Sequence, residues 1–128
     1  AEKNRKILRA ENIQFAVHDF LRSSFNSKFD VVVSNPPYIA INKLQNLPDE
    51  VIGYDPHSSL TDNKDGMTFY KRFADQFDHL INPGGILILE ISGNEQRFII
   101  EDLFVSNNLK TDFYKDLQQE WRVVEVRR

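Results

Sequence analysis

The chain has 128 residues, the usual size of one domain, and its 41% hydrophobic content with ten Phe, four Tyr and one Trp is enough to bury a core. Sixteen Lys and Arg against nineteen Asp and Glu leave a net charge of −3, which excludes the broad basic footprint of a free-standing nucleic-acid binder. The absence of cysteine excludes disulfides, thiolate metal sites and Cys nucleophiles, and no apolar run approaches the roughly 18 residues of a membrane span.

Ala1 to Ala10 are charged and helix-prone, with Ile7 and Leu8 as their only large apolar side chains, and read as the end of a helix. Ile13, Phe15 and Val17 alternate with polar or small residues, which predicts a short strand with one buried face and Asp19 and Phe20 at its end. Phe29 to Ser34 holds three consecutive valines and predicts a central strand covered on both faces. Asn35, Pro36 and Pro37 stop it, because proline supplies no ladder N–H and restricts the residue before it.

A long irregular stretch to about Asp65 follows, with Pro48, Gly53 and Pro56; a loop of this length in a compact domain usually carries function or is disordered. From Gly66 to Ile81 the residues Phe69, Tyr70, Phe73, Phe77, Leu80 and Ile81 recur at helical spacing, with Asp65 as the predicted N-cap and the Phe residues as a core stripe. Pro83, Gly84 and Gly85 predict a turn, and Ile86 to Ile91 a second buried strand. Asn94 to Asn107 predicts a helix with Phe98, Leu103 and Phe104 on one face, closing on Asn107 and Asn108. Leu109 to Leu117 and Trp121 to Val126, joined by Gln118 to Glu120, predict an antiparallel hairpin. The class is α/β: a mostly parallel sheet with one reversed strand.

Asn35, Pro36, Pro37 and Tyr38 follow directly on the best strand, where open α/β sheets place ligands. The Asn side chain and a proline carbonyl offer two acceptors, matching the two N–H donors of a planar amide or exocyclic amine, and Tyr38 could lie against that plane. The plain alternative is a strand terminator beside a surface tyrosine. Asp19 likewise reads as a turn cap as readily as a ligand contact, and Glu90, on an apolar strand, needs a partner or an open strand end.

Other signals carry less. His18, His57 and His79 lack metal-site spacing, and Thr61, Asn63, Asp65 and Gly66 echo a calcium loop only until Arg72 occupies the position of the bidentate Glu, so no metal is expected. Gly84 and Gly85 precede a strand, the reverse of a phosphate loop.

The hydrophobic strand ending in Asn35-Pro36-Pro37-Tyr38 resembles the amino-methyltransferases that use S-adenosylmethionine on planar nitrogen. Tyr54, Asp55 and Pro56, Leu60, Asp65, Gly66 and Tyr70, Pro83 to Gly85, Glu90, Lys115 to Leu117 and Arg122 to Val124 extend this to a resemblance to the release factor glutamine methyltransferases over essentially residues 1–128. Asp55 replaces the family's usual Glu and Ser59 its usual Ala, which loosens the substrate-loop assignment. The resemblance implies the C-terminal part of a Rossmann-like class I methyltransferase sheet, with the first two strands, the glycine-rich cofactor loop, the ribose-binding acid and the N-terminal helical domain absent. It implies S-adenosyl-L-methionine as cofactor, met by Asp19, Phe20 and Asn35, and a glutamine amide held by Asn35, Pro36, Pro37 and Tyr38. Asn35 and Pro36 are the residues in the catalytic role.

The leading expectation is therefore a cytoplasmic protein that N5-methylates a glutamine of another protein, a peptide chain release factor, with no membrane contact and no direct nucleic-acid binding. The chain alone is expected to be inactive and to bind the cofactor weakly. A nucleic-acid adenine or guanine amino-methyltransferase is the second reading, opposed by the single Lys43 between Ile39 and Gly53; a non-catalytic α/β fragment or interaction module is the third. Because the two missing strands would lie between the Ile13 to Val17 and Phe29 to Ser34 strands, the latter is expected to expose an edge and to draw the chain into a homodimer, or residues 1–20 into the vacant place.

Overall fold

A computed structural model describes residues 1–46 and 56–128. Its elements are α1 (Glu2–Ile7), β1 (Phe29–Ser34), a 3₁₀ turn (Ile41–Asn46), α2 (His57–Leu60), α3 (Thr68–Leu80), β2 (Ile81–Glu90), α4 (Asn94–Ser106), β3 (Lys110–Lys115) and β4 (Trp121–Arg127). The strands form one sheet in the order β1-β2-β4-β3. β1 and β2 are parallel, while β4 runs against both β2 and β3, so three strands share a direction and β4 alone is reversed. This is the predicted α/β sheet with a terminal hairpin.

The core forms where four amphipathic patterns converge. Tyr70, Phe73 and Phe77 of α3, Ile100 and Phe104 of α4, Leu87 and Leu89 of β2, and Val124 and Val126 of β4 make one buried cluster, with Phe69 partly buried against it. Each of these large side chains, fully buried, contributes about 1.5–3 kcal/mol relative to exposure. Arg97 of α4 lies over Trp121 at 4.5 Å and Phe113 at 5.1 Å, fastening that helix to the hairpin by cation–π contacts.

Several expectations are corrected. Ile13 to Val17 is not a strand: no described strand offers it a ladder, and Val17 stands fully exposed. Alternation alone cannot make a strand without a neighbour to take its N–H and C=O groups. Phe29–Ser34 is a strand but, among the described residues, an edge one paired with β2 alone, and Val33 is 72% exposed. Residues 1–20 add no strand to its open side. Ile86 to Ile91 alternates as well, Leu87, Leu89 and Ile91 being buried and Ile86 and Ile88 half-buried.

Pro83 to Gly85 do not separate α3 from β2; they form an irregularity within β2, where pairing with β1 jumps from Phe29↔Ile81 to Val31↔Ile86 and Gly84 takes φ +81°. Met67 rather than Asp65 is the α3 N-cap, and the first helical N–H, that of Thr68, is bound at 3.0 Å by the Asp62 carboxylate. α4 buries Gln96, Ile100 and Phe104 and leaves Phe98 54% exposed, a rotation of the predicted face. Pro48, Gly53, Tyr54 and Asp55 lie outside the described residues.

Candidate functional site

Asn35 begins the segment leaving the C-terminal end of β1, and the two prolines force it away from the ladder. Pro36 is buried, Pro37 and Tyr38 are half-buried, and Asn35 is exposed. Asn35 and Pro36 line two clefts at once. One, of about 450 Å³, is bounded by Phe20, Phe69, Phe73 and Pro37 as well; the other, of about 310 Å³, by Tyr38, Ile39, Ser59 and Leu60. The larger has the size of a small-molecule site and aromatic rings on its wall, fitting an apolar plane such as a purine.

The aromatic wall is built by packing across sequence. Phe20 lies 4.5 Å from Phe73 of α3, and Arg72 holds the Phe20 carbonyl at 3.1 Å, so a segment without regular structure is still anchored to the helix. Asp19 is placed differently. Its carboxylate accepts from Leu21 N–H at 3.2 Å and approaches Arg22 at 3.5 Å, so it caps the turn there, and it does not line the larger cleft.

The loop after Pro37 is held at its side chain and its backbone. Tyr38 donates its hydroxyl to Glu90 Oε1 at 2.8 Å, which supplies the partner that a carboxylate at the end of an apolar strand requires. Burial, reinforced by that carboxylate, pushes the Tyr38 phenol up to about 12. Tyr70 reaches the same strand end from α3, donating to the Glu90 carbonyl at 2.6 Å, and burial raises its phenol too. The backbone N–H groups of Ile39 and Ile41 donate to the carbonyls of Leu60 and Lys64 at 3.0 and 2.9 Å.

Asp62 organises the facing turn: its carboxylate accepts from the N–H groups of Lys64, Gly66 and Thr68 at 2.9, 3.0 and 3.0 Å. Burial opposes its ionisation, but these bonds outweigh burial and hold the carboxyl below its usual range. Gly66, at φ +79°, lies so close to the Tyr38 carbonyl that no side chain fits between them. Sequence reasoning missed the scaffold roles of Asp62 and Gln96. Gln96 had a legible signal, a polar residue in the row Gln96, Ile100, Phe104 on the apolar side of a helix; Asp62 had only an acid four residues before a glycine.

The structure thus brings Phe20, Asn35, Pro36, Pro37 and Tyr38 together, with Glu90 behind Tyr38, and leaves Asp19 in its turn. Among the described residues no helix is long and apolar enough to cross a membrane.

Known proteins resemble this chain in sequence and fold. A family model described as Eco57I restriction-modification methylase matches residues 1–116. A bifunctional methyltransferase of Rickettsia felis is 32% identical over 115 residues, 89% of this chain and 22% of that protein. A release factor glutamine methyltransferase of Clostridium acetobutylicum is 38% identical over 90 residues, 67% of this chain and 32% of that protein. The crystal structure of a release factor-specific protein-(glutamine-N5) methyltransferase from Alicyclobacillus acidocaldarius superposes with a TM-score of 0.50 at 25% identity, over 79% of this chain and 49% of that one. The chain therefore spans a fifth to a half of the length of these relatives.

Proposed function

The chain belongs to the Eco57I restriction-modification methylase family and is a methyltransferase sequence, and from it we propose the methylation of a glutamine side-chain amide in a protein, a peptide chain release factor. The observation that carries this reading is that Asn35 and Pro36 line both clefts, so one short rigid segment can face a methyl donor on one side and an acceptor on the other. We assign the larger cleft to S-adenosyl-L-methionine, whose sulfonium supplies the transferable methyl group. Phe20 would stack on its adenine and Asn35 would border the methyl, while Asp19, which caps its own turn and does not line this cleft, is assigned no contact there.

The smaller cleft would take the amide. An amide nitrogen is a weak nucleophile because its lone pair is delocalised. Accepting its two N–H groups on the Asn35 side chain and the Pro36 carbonyl would orient that lone pair and stabilise the positive charge that develops as the N–C bond forms. Pro37 fixes the backbone, and the Tyr38 ring, held at its hydroxyl by Glu90, bounds the cleft. The proton lost after transfer leaves to water, since this scheme assigns no dedicated base.

Residues 1–128 are proposed as part of a methyltransferase catalytic domain, the remaining cofactor contacts coming from sequence outside them, and the location as cytoplasmic. The family model's own description favours a second reading, an amino-methyltransferase of nucleic acid, which the net charge of −3 opposes. The test is transfer of labelled methyl from S-adenosylmethionine by the polypeptide expressed from its full reading frame, offered a release factor, a glutamine peptide and duplex DNA in parallel. Methylation of the release factor glutamine is expected, with Asn35→Ala lowering turnover at least about tenfold by removing one amide acceptor. Methylation of DNA alone, or an Asn35→Ala variant of unchanged turnover, would sink the reading.

A further inference from the structure

Gln96 sits in the first turn of α4 and is 8% exposed. Its Oε1 accepts from the Ser92 N–H at 2.9 Å and lies 3.4 Å from the Tyr70 hydroxyl, whose proton goes to the Glu90 carbonyl, while its Nε2 donates to the carbonyls of Tyr38 at 3.2 Å and Gly66 at 3.4 Å. One amide thus joins the β2–α4 junction, α3, the turn before α3 and the loop after β1. Its orientation is fixed by chemistry, because the Ser92 N–H can only donate and the two carbonyls can only accept; turning the amide over would break all three of these bonds.

The four contacts divide into two jobs. The accepting half ties α4 to β2 and α3, which are already held by the apolar core. The donating half reaches the backbone carbonyl of Tyr38, three residues from Asn35; the half-buried Tyr38 side chain packs on the edge of the core while its main chain lies in the loop. Gly66 closes against the same carbonyl. A carbonyl bound by an amide and walled by a glycine has little freedom to move, and neither does the rigid Pro36-Pro37 segment before it.

Resting on the methyl-transfer reading above, we propose that Gln96 is a positioning residue of the reaction: by holding the Tyr38 carbonyl it fixes the Asn35 to Tyr38 loop, so that the acceptors at Asn35 and Pro36 keep one geometry toward the bound amide. Gln96 acts through Tyr38, and its donor half is what matters. A purely structural glutamine would instead act through all its contacts alike.

Gln96→Glu separates the halves. It keeps shape and the accepting oxygen but, when ionised, sets a charge against two carbonyls and cannot donate. When protonated, its O–H can donate again, and burial among carbonyls raises the pH at which this occurs. The titratable groups around the position are Tyr70 of α3, Tyr38 of the loop and Glu90 of β2, with Lys43, Lys64, Asp65 and Glu95 along the neighbouring cleft. All are present in the unmodified protein, so the same pH series on it accounts for them. Gln96→Leu removes both halves at every pH.

The measurement is amide hydrogen exchange of the full chain at Ile39, Ile41 and Gly66, with Leu87 and Val124 as core reporters. In Gln96→Glu at pH 8 the loop amides are expected to exchange about tenfold faster or more, with the core amides unchanged and protection returning as pH falls toward about 5. Gln96→Leu is expected to stay loosened throughout. Methyl transfer by the full-reading-frame polypeptide should follow the same pattern, kcat falling about tenfold or more while KM stays within about threefold, and Gln96→Glu recovering at low pH. Loop protection equal to wild type in both variants, loss shared equally with the core, no recovery on acidification, or a loosened loop with unchanged kcat would each overturn the proposal. The exchange pattern needs neither cofactor nor substrate. A wild-type enzyme inactive on glutamine with that pattern intact would overturn the substrate assignment and not the hold of Gln96 on the loop.

Discussion

Replacing Gly66 with Ala strikes the site loop through its backbone. Gly66 has φ +79°, and an added methyl would overlap the Tyr38 carbonyl oxygen while lying 2.9 Å from the Tyr38 carbonyl carbon and 3.3 Å from Ala40 N. Carbon atoms settle at about 3.5–4.0 Å, so the loop would have to retreat by roughly 1 Å. The left-handed conformation costs an alanine about 1–2 kcal/mol, and forcing extra volume into packed surroundings about 1–3 kcal/mol more. The sum, about 2–5 kcal/mol, is a large part of the roughly 5–15 kcal/mol that holds a domain folded. Gly84 is an internal control, because it has φ +81° but nothing within 4 Å of its missing Cβ. Gly84→Ala should therefore lose only the backbone share, about 1–2 kcal/mol. Urea denaturation of the two variants measures the difference, and exchange at Ile39 and Ile41 locates it. Two alanine variants of equal stability, or Gly66→Ala within about 0.5 kcal/mol of wild type, would refute the argument that contact with Tyr38 decides this position.

The remaining expectations concern charge and the open edge. The Tyr38 phenol, raised from 10.0 to about 12, keeps its proton in the folded chain where the unfolded chain loses it; the stability this contributes is complete below about pH 10 and lost as pH rises through about 12, and an alkaline stability series should be flatter for Tyr38→Phe than for wild type. Asp62 is shifted the other way, so its contribution is present above its ordinary value of 3.8 and lost as pH falls below it; Asp62→Ala should lower stability by about 2–4 kcal/mol at pH 7 and weaken the acid dependence, and an unchanged urea midpoint would contradict this. Among the described residues β1 presents an unpaired edge with Val31 53% and Val33 72% exposed, so the 128-residue chain is expected to dimerise through it. Light scattering should show a concentration-dependent dimer abolished by Val33→Lys, and a monomer at every concentration would exclude it.

The residues that sequence alone resolved are those whose signal is local. Triple valine followed by Asn-Pro-Pro specifies a strand and its end without reference to anything distant, and the Phe69, Phe73 and Phe77 spacing specifies a helix and its inner face. The β3–β4 hairpin was legible for the same reason, its two strands being separated by a short polar link that the Asp116 carboxylate closes by accepting from the N–H groups of Gln118 and Glu120. Tertiary structure decided what depends on a partner. Ile13, Phe15 and Val17 alternate as a strand should, yet no neighbouring ladder receives them, and Phe29–Ser34 has an apolar composition suited to a centre while standing at an edge. The scaffold behind the site is likewise invisible in one dimension. Tyr38 meets Glu90 across 52 positions and Gln96 across 58, and a hydrogen bond between residues so far apart leaves no periodicity or spacing in the chain that makes it.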